Sequence, residues 1–325
     1  MAERVRITDV SPRDGLQNEP GFVPTLDKAT LVEKLCTCGV DEVEVTSFVS
    51  AKWVPQLGDA SEVLAEAAKS KHDGVRFSAL VPNAKGMESA LNAMRAAQPA
   101  IRVGPQVRPL DKVAVFTAAS ETFSRRNTNA GIRETIERFV PVIAMAKAER
   151  ILVRGYISCA IACPFEGAIA PENVAAVAGL LVDAGVDELD LGDTIGAGTP
   201  ESVANMLRSV LDRVGEQWLG RAAPGERAIT LHLHDTFGRA AECVKVALDM
   251  GIRSFDGSVA GLGGCPYAST PGKRAPGNIS TELLVRTVHE SGYETGVDLD
   301  RLATTAEYAR SLVSKARARA AGGGE

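Results

Sequence analysis

Two of the chain's four histidines stand two residues apart in Ile229-Thr230-Leu231-His232-Leu233-His234-Asp235-Thr236. The run reads as a strand, and residues two apart on a strand share a face, so both imidazoles project together with leucines opposite. One strand histidine is commonly just packed. Two on one face at a strand end favour a metal. Cys159 and Cys163 are spaced too loosely for a zinc knuckle. Imidazoles joined by carboxylate and amide oxygens suit Mg²⁺ or Mn²⁺, with Zn²⁺ and Co²⁺ as alternatives.

Partners for such a metal lie at the ends of other strand-like runs. Ser11-Pro12-Arg13-Asp14-Gly15-Leu16-Gln17-Asn18-Glu19 places a guanidinium and a carboxylate side by side. The pair is either a turn with a surface ion pair or a metal ligand beside a cation that stabilises a developing oxyanion. In Glu42-Val43-Glu44-Val45-Thr46 alternation sets the acids on one face, so Glu44 is an inward-facing acid within an apolar stretch. Asp193 ends another run and faces the same pocket if the strands close into a barrel. The glycine-rich Gly261-Leu262-Gly263-Gly264-Cys265-Pro266-Tyr267 puts a thiol on a movable loop, a candidate proton donor or acceptor. Asn278 is either a helix cap or an amide-oxygen ligand. Arg125-Arg126 is either a solvated basic spot or a phosphate contact.

These residues need a scaffold that gathers strand ends. Eight apolar runs alternate with amphipathic stretches: 5–10, 42–46, 75–81, 113–116, 151–157, 188–191, 229–233 and 254–259. Thr199-Pro200-Glu201 and Ala170-Pro171-Glu172 carry helix-start signals, and Gly39, Gly185 and Gly251 follow helices. Eight βα units predict a single (β/α)8 barrel with its active site at the C-terminal ends of the strands, a doubly wound sheet being the alternative. The catalytic barrel is expected over 1–313, including a lid loop at 261–278, with 314–325 a frayed tail.

With 325 residues, 45% hydrophobic and 24% charged, the composition is that of a globular enzyme with ample core. A net charge of −5 argues against nucleic acid or an anionic membrane as partner. No secretory signal, transit peptide or membrane-length apolar run is evident, so a cytoplasmic location with free thiols is expected.

Taken together, the motifs resemble 3-hydroxy-3-methylglutaryl-CoA lyase, within the TIM-barrel metallolyases that include the isopropylmalate, homocitrate and citramalate synthases. The matching segments are Ser11–Glu19, Glu44–Asp59, Ala119–Asn127, Val153–Gly167, Leu191–Pro200, His232–Gly238 and Ser258–Ala268. The first and last of these are specific to the lyase branch. The resemblance implies metal ligation by Asp14, His232, His234 and Asn278. It makes Arg13 the enolate stabiliser, Cys265 the lid thiol, and Glu44 and Asp193 part of the acid–base network. Arg13, Gln17 and Asp193 would contact substrate, and Asp14, His232 or Cys265 would serve as base. It further implies an acyl-CoA substrate, a homodimer, and cleavage of (S)-3-hydroxy-3-methylglutaryl-CoA to acetyl-CoA and acetoacetate in leucine degradation and ketone-body formation. One departure stands out: Ser269–Arg274 lengthens the loop between Cys265 and Asn278 and adds two positive charges, which leaves a longer 3-hydroxyacyl-CoA as an alternative. A synthase running the bond-forming direction and a non-catalytic acyl-CoA-binding barrel are the other readings.

Overall fold

A computed structural model describes the chain apart from residues 1, 103, 105–106, 221–225, 271–272 and 323–325; over 265–275 only the backbone is described. Eight parallel strands close into a barrel: β1 (Arg6–Asp9), β2 (Glu42–Ser47), β3 (Arg76–Leu80), β4 (Lys112–Ala118), β5 (Leu152–Ser158), β6 (Glu188–Asp193), β7 (Ala228–Leu233) and β8 (Ser254–Gly257). Each pairs with its sequence neighbours, and β1 closes the ring on β8. The doubly wound alternative is thereby excluded.

The strands alternate in a way that explains the whole design. One face carries Ile7, Val43, Phe77, Val113, Val153, Leu189, Leu231 and Phe255, all buried in the continuous apolar core beneath the helices. The other face is polar: Arg6, Glu42, Lys112, Arg154, Glu188, Asp190 and Asp256 are each nearly inaccessible and paired with one another across the barrel interior. A buried charge is tolerated only when paired and hydrogen-bonded, and this interior meets that condition with a lattice of ion pairs. A register shift between Glu44 and Thr46 in β2 turns Ser47 toward the barrel mouth.

The surrounding helices are α1 (Thr25–Thr37), α2 (Ala60–Ala68), α3 (Ala84–Ala97), α4 (Glu121–Thr128), α5 (Ile132–Ala148), α6 (Pro171–Ala184), α7 (Pro200–Val214), α8 (Ala240–Asp249), α9 (Thr281–Glu290) and α10 (Leu299–Gly322). Thr199 caps α7 with a reciprocal box to Ser202, and Gly185 closes α6 in the left-handed region, as the sequence signals. The tail expected to fray is instead helical: α10 runs to Gly322. Ala316 is buried against Gly21, and Arg317 grips Glu19 with Nε–Oε2 at 2.8 Å and Nη2–Oε1 at 2.9 Å. The Ala/Arg-rich composition that suggested fraying is also a good helix-forming composition, and tertiary contacts settle the matter. No helix among the described residues is long and apolar enough to cross a membrane.

Candidate active site

At the end of β1 the chain turns abruptly. Arg13, Asp14 and Gly15 all donate their backbone N–H to the Val10 carbonyl, at 3.2, 2.8 and 3.2 Å, in a single wide turn over Ser11–Gly15. Asp9 pins that turn. Its carboxylate accepts from the Ser11 N–H at 2.9 Å, the Ser11 hydroxyl, the Val259 N–H at 3.0 Å and the Thr281 hydroxyl at 2.7 Å, tying β1, the end of β8 and α9 together. Burial pushes the Asp9 carboxyl up to about 6 despite these donors.

The turn delivers Arg13 and Asp14 into the barrel mouth. Arg13 is almost fully buried. Its Nε and Nη2 contact Glu44 Oε2 at 2.6 and 2.5 Å, and its Nη1 contacts Asp14 Oδ1 at 2.7 Å. Burial works against the guanidinium charge, but Glu44 and Asp14 overcome it and its pKa is raised. Burial would likewise raise Asp14, yet Arg13, His232 and the Asn278 amide hold it down at about 2, a carboxylate throughout the working range. Glu44 is a different case: burial outweighs Arg13 and its pKa rises.

His232 is the penultimate residue of β7, on the interior face, and His234 follows just beyond the strand, their ring centroids 5.4 Å apart. Candidate ligand atoms of Asp14, His232 and His234 lie within 4.8 Å of one another. Burial depresses both imidazoles. In His232 the Asp256 hydrogen bond and the Asp14 charge reverse that, whereas His234 falls to about 4, lowered further by His232. His234 is thus the neutral imidazole that ligation requires.

Asn278 is brought alongside by backbone pairing. Asp235 N–H donates to the Gly277 carbonyl at 2.6 Å and Ile279 N–H to the Leu233 carbonyl at 2.9 Å, so residues 277–279 run antiparallel to the end of β7. The Asn278 amide nitrogen donates to Asp14 Oδ2 at 2.8 Å and to the Leu262 carbonyl at 3.0 Å. Its Oδ1, and Nδ1 of His234, are buried without a hydrogen-bond partner. Orphaned acceptors of this kind are costly unless a ligand satisfies them. Two imidazoles, a carboxylate and an amide oxygen gathered here fit a divalent cation. Ser280, not Asn278, caps α9, so the bland reading of Asn278 fails. Gly263 covers the pair at φ +89°, where a Cβ would meet Asn278 Nδ2 at 2.6 Å.

The site opens into a cavity of about 510 Å³ lined by Arg13, Asp14, Gln17, His232, His234 and Gly263 at one end. Trp53, Leu80, Phe116, Asn129, Arg138 and Phe139 also line it. Glu44 does not line the cavity; it stands behind Arg13. Asp193 requires a larger correction. It was expected to face the pocket, but its Oδ1 accepts from Ala197 N–H at 3.0 Å and its Oδ2 from Gly198 N–H at 2.7 Å, and it too is absent from the lining. Both oxygens are consumed in closing the turn after β6, and burial raises its pKa to about 6. Arg126 stacks on Phe165 at 4.1 Å and Arg125 pairs with exposed Glu121, so neither lines the cavity; Arg138 does. The Cys265 side chain lies outside the described residues. Its backbone belongs to a strand, Cys265–Thr270, that pairs antiparallel with Lys273–Ala275.

Sequence reasoning missed Tyr156, Arg154 and Asp256. Tyr156 lines the cavity, with its hydroxyl 3.3 Å from Glu44 Oε2. All three were signalled by polar residues at alternate positions within apolar strands.

The HMGL-like family model matches residues 4–308. The cytoplasmic 3-hydroxy-3-methylglutaryl-CoA lyase of Rattus norvegicus is 42% identical over 315 residues, covering 97% of this chain and 83% of that protein. The hydroxymethylglutaryl-CoA lyase of Pseudomonas mevalonii is 44% identical over 301 residues, covering 93% and 90%. The crystal structure of the HMG-CoA lyase from Brucella melitensis superposes with a TM-score of 0.84 at 46% identity, covering 96% of this chain and all of that one.

Proposed function

Because the chain belongs to the HMGL-like family, we propose that it cleaves 3-hydroxy-3-methylglutaryl-CoA to acetyl-CoA and acetoacetate. The observation that carries the reading is the convergence of Arg13, Asp14, His232 and His234 on a single cavity, with Asn278 hydrogen-bonded to Asp14 beside them. A divalent cation held by Asp14, His232, His234 and Asn278 supplies Lewis acidity to the substrate's tertiary hydroxyl, lowering its pKa. Mg²⁺ or Mn²⁺ is the proposed ion, on the hardness of the oxygen donors.

Asp14, His232 or Cys265 takes the hydroxyl proton. Asp14 and His232 both stand at the cavity wall, within reach of a bound substrate. As the oxygen becomes a ketone, the bond between its carbon and the methylene beside the thioester breaks, and the electron pair passes into the thioester enolate. Arg13 receives that developing oxyanion. Of its five N–H groups, one hydrogen-bonds Glu44 and one Asp14, which leaves the others for a ligand. Protonation of the enolate carbon, assigned to Cys265, yields acetyl-CoA. Glu44 fixes the guanidinium plane, Gln17 contacts the substrate from the cavity wall, and Asp193 keeps the turn after β6 closed. The domain reading is a single catalytic barrel in which α10 takes part. A homodimer rests on the resemblance alone, and light scattering decides it. A cytoplasmic location is supported by the similarity to the rat protein of that name.

The test is a coupled assay over a series of 3-hydroxy-3-alkylglutaryl-CoA thioesters with Mg²⁺ and Mn²⁺ in parallel. Cleavage of the methyl compound is expected. Activity only on a longer homologue would move the substrate within the family, and none on any member would favour a non-catalytic barrel.

A further inference from the structure

Beneath the site, the barrel interior holds a carboxylate that the mechanism above does not use. Asp256 lies on β8 in register with His232 on β7, is 2% exposed and does not line the cavity, so no substrate reaches it. Its Oδ2 is 3.5 Å from His232 Nδ1. Arg154 Nη1 straddles the carboxylate, 3.1 Å from Oδ1 and 3.2 Å from Oδ2, and the Tyr156 hydroxyl approaches Oδ2 at 3.4 Å. Arg154 is itself immobilised: its Nη2 is 2.8 Å from Glu188 Oε1, 3.3 Å from Glu42 Oε1 and 3.2 Å from the Thr8 hydroxyl. The guanidinium, carried on β5, is thus held from β1, β2, β6 and β8.

We propose that Asp256, clamped by Arg154, is a positioning residue that aims His232 at the cation. The inference rests on the reading of Asp14, His232 and His234 as ligands. Desolvating a carboxylate in a barrel interior is expensive unless the group is paired, and pairing alone explains only how Asp256 is tolerated. The approach to Nδ1 explains what it does. An imidazole that ligates through one nitrogen needs an acceptor for the N–H of the other, which fixes both the tautomer and the ring orientation. With Nδ1 turned to Asp256, Nε2 is the nitrogen left for the cation. Arg154 keeps the carboxylate from rotating away, and its own anchors make the bottom of the barrel a rigid mount for one ligand at the top.

The experiment is Mn²⁺ titration followed by the EPR signal of the free ion, without substrate, on wild type, Asp256→Asn and Arg154→Gln, alongside thermal melts. Asp256→Asn should weaken Mn²⁺ about 10- to 100-fold with the fold intact, as loss of a carboxylate behind a ligating histidine does elsewhere. Arg154→Gln should act in the same direction. The double variant should bind no more than a few-fold worse than Asp256→Asn, because the two residues act through one chain. A folded Asp256→Asn that binds Mn²⁺ within twofold of wild type overturns the proposal, and so does a lowered melting temperature with unchanged affinity. If Arg154→Gln does not fold, the near-isosteric Asp256→Asn decides alone. His234→Ala separates the premise from the proposal: unimpaired Mn²⁺ binding there refutes the ligand reading itself. Absence of thioester cleavage by a wild type that binds Mn²⁺ normally refutes only the lyase reading.

Discussion

Replacing Arg13 by Gln removes the donors proposed to meet the enolate while keeping a polar side chain at the cavity wall. Only two of its five N–H groups hydrogen-bond in the resting arrangement, and Glu44 and Asp14 hold the fork rigid, so the remaining donors are organised before substrate arrives. Removing a donor of this type from a preorganised oxyanion site costs about 3 kcal/mol, on the order of 100- to 1000-fold in kcat. The effect on stability should be smaller than breaking a buried ion pair commonly is, about 3–5 kcal/mol. Glu44 already has a raised pKa in the presence of Arg13 and can take up a proton when the cation is gone. Arg13→Lys should be impaired similarly, because one ammonium cannot reproduce the planar fork that meets Glu44 with Nε and Nη2 and Asp14 with Nη1. The assay is steady-state cleavage of 3-hydroxy-3-methylglutaryl-CoA at saturating Mg²⁺, with Mn²⁺ affinity and circular dichroism as controls. A kcat within tenfold of wild type in either variant, with metal bound, would refute the enolate role. A raised KM at unchanged kcat would reassign Arg13 to ground-state binding.

Asn278→Ala deletes both the orphaned amide oxygen and the donor to Asp14, and should weaken Mn²⁺ by about tenfold or more in a direct titration. Asp193→Asn puts a neutral amide where a buried carboxyl meets the Ala197 and Gly198 N–H groups, and urea unfolding across the pH range compares it with wild type. The same variant tests a pH dependence. The folded carboxyl, held up by burial at about 6 against an ordinary 3.8, keeps a proton that the unfolded chain releases. Its contribution to stability is full below about pH 4 and is lost as the pH rises through about 6, a span worth about 3 kcal/mol that Asp193→Asn should lack. Arg317→Ala removes a bidentate partner of buried Glu19, in the segment that follows the Arg13–Asp14 turn, and should lower stability by about 1.5–3 kcal/mol in the same measurement.

What the sequence determined by itself was periodic or local. Eight apolar runs separated by amphipathic stretches specify eight βα units, because hydrophobic period is set by the backbone geometry of each element. The two-residue spacing of His232 and His234 sets both rings on one face for the same reason. Arg13-Asp14 followed by Gly15 marks a sharp strand-end turn. The alternation of Glu42 with Glu44, of Arg154 with Tyr156, of Glu188 with Asp190, and of Ser254 with Asp256 specifies a polar barrel interior in the same way.

The tertiary structure decided matters that depend on partners far away in the chain. Asp193 ends a barrel strand as the site residues do, but its oxygens are claimed by the N–H groups of its own turn, a competition that no spacing reveals. The tail became helix because Ala316 and Arg317 find Gly21 and Glu19 across the molecule. Asn278 stands beside Asp14 because residues 277–279 pair with the end of β7, a contact set by backbone hydrogen bonds that no spacing reveals. The two histidines marked the candidate metal site. Which acid sits behind the first of them, and which arginine holds that acid, is a property of barrel closure.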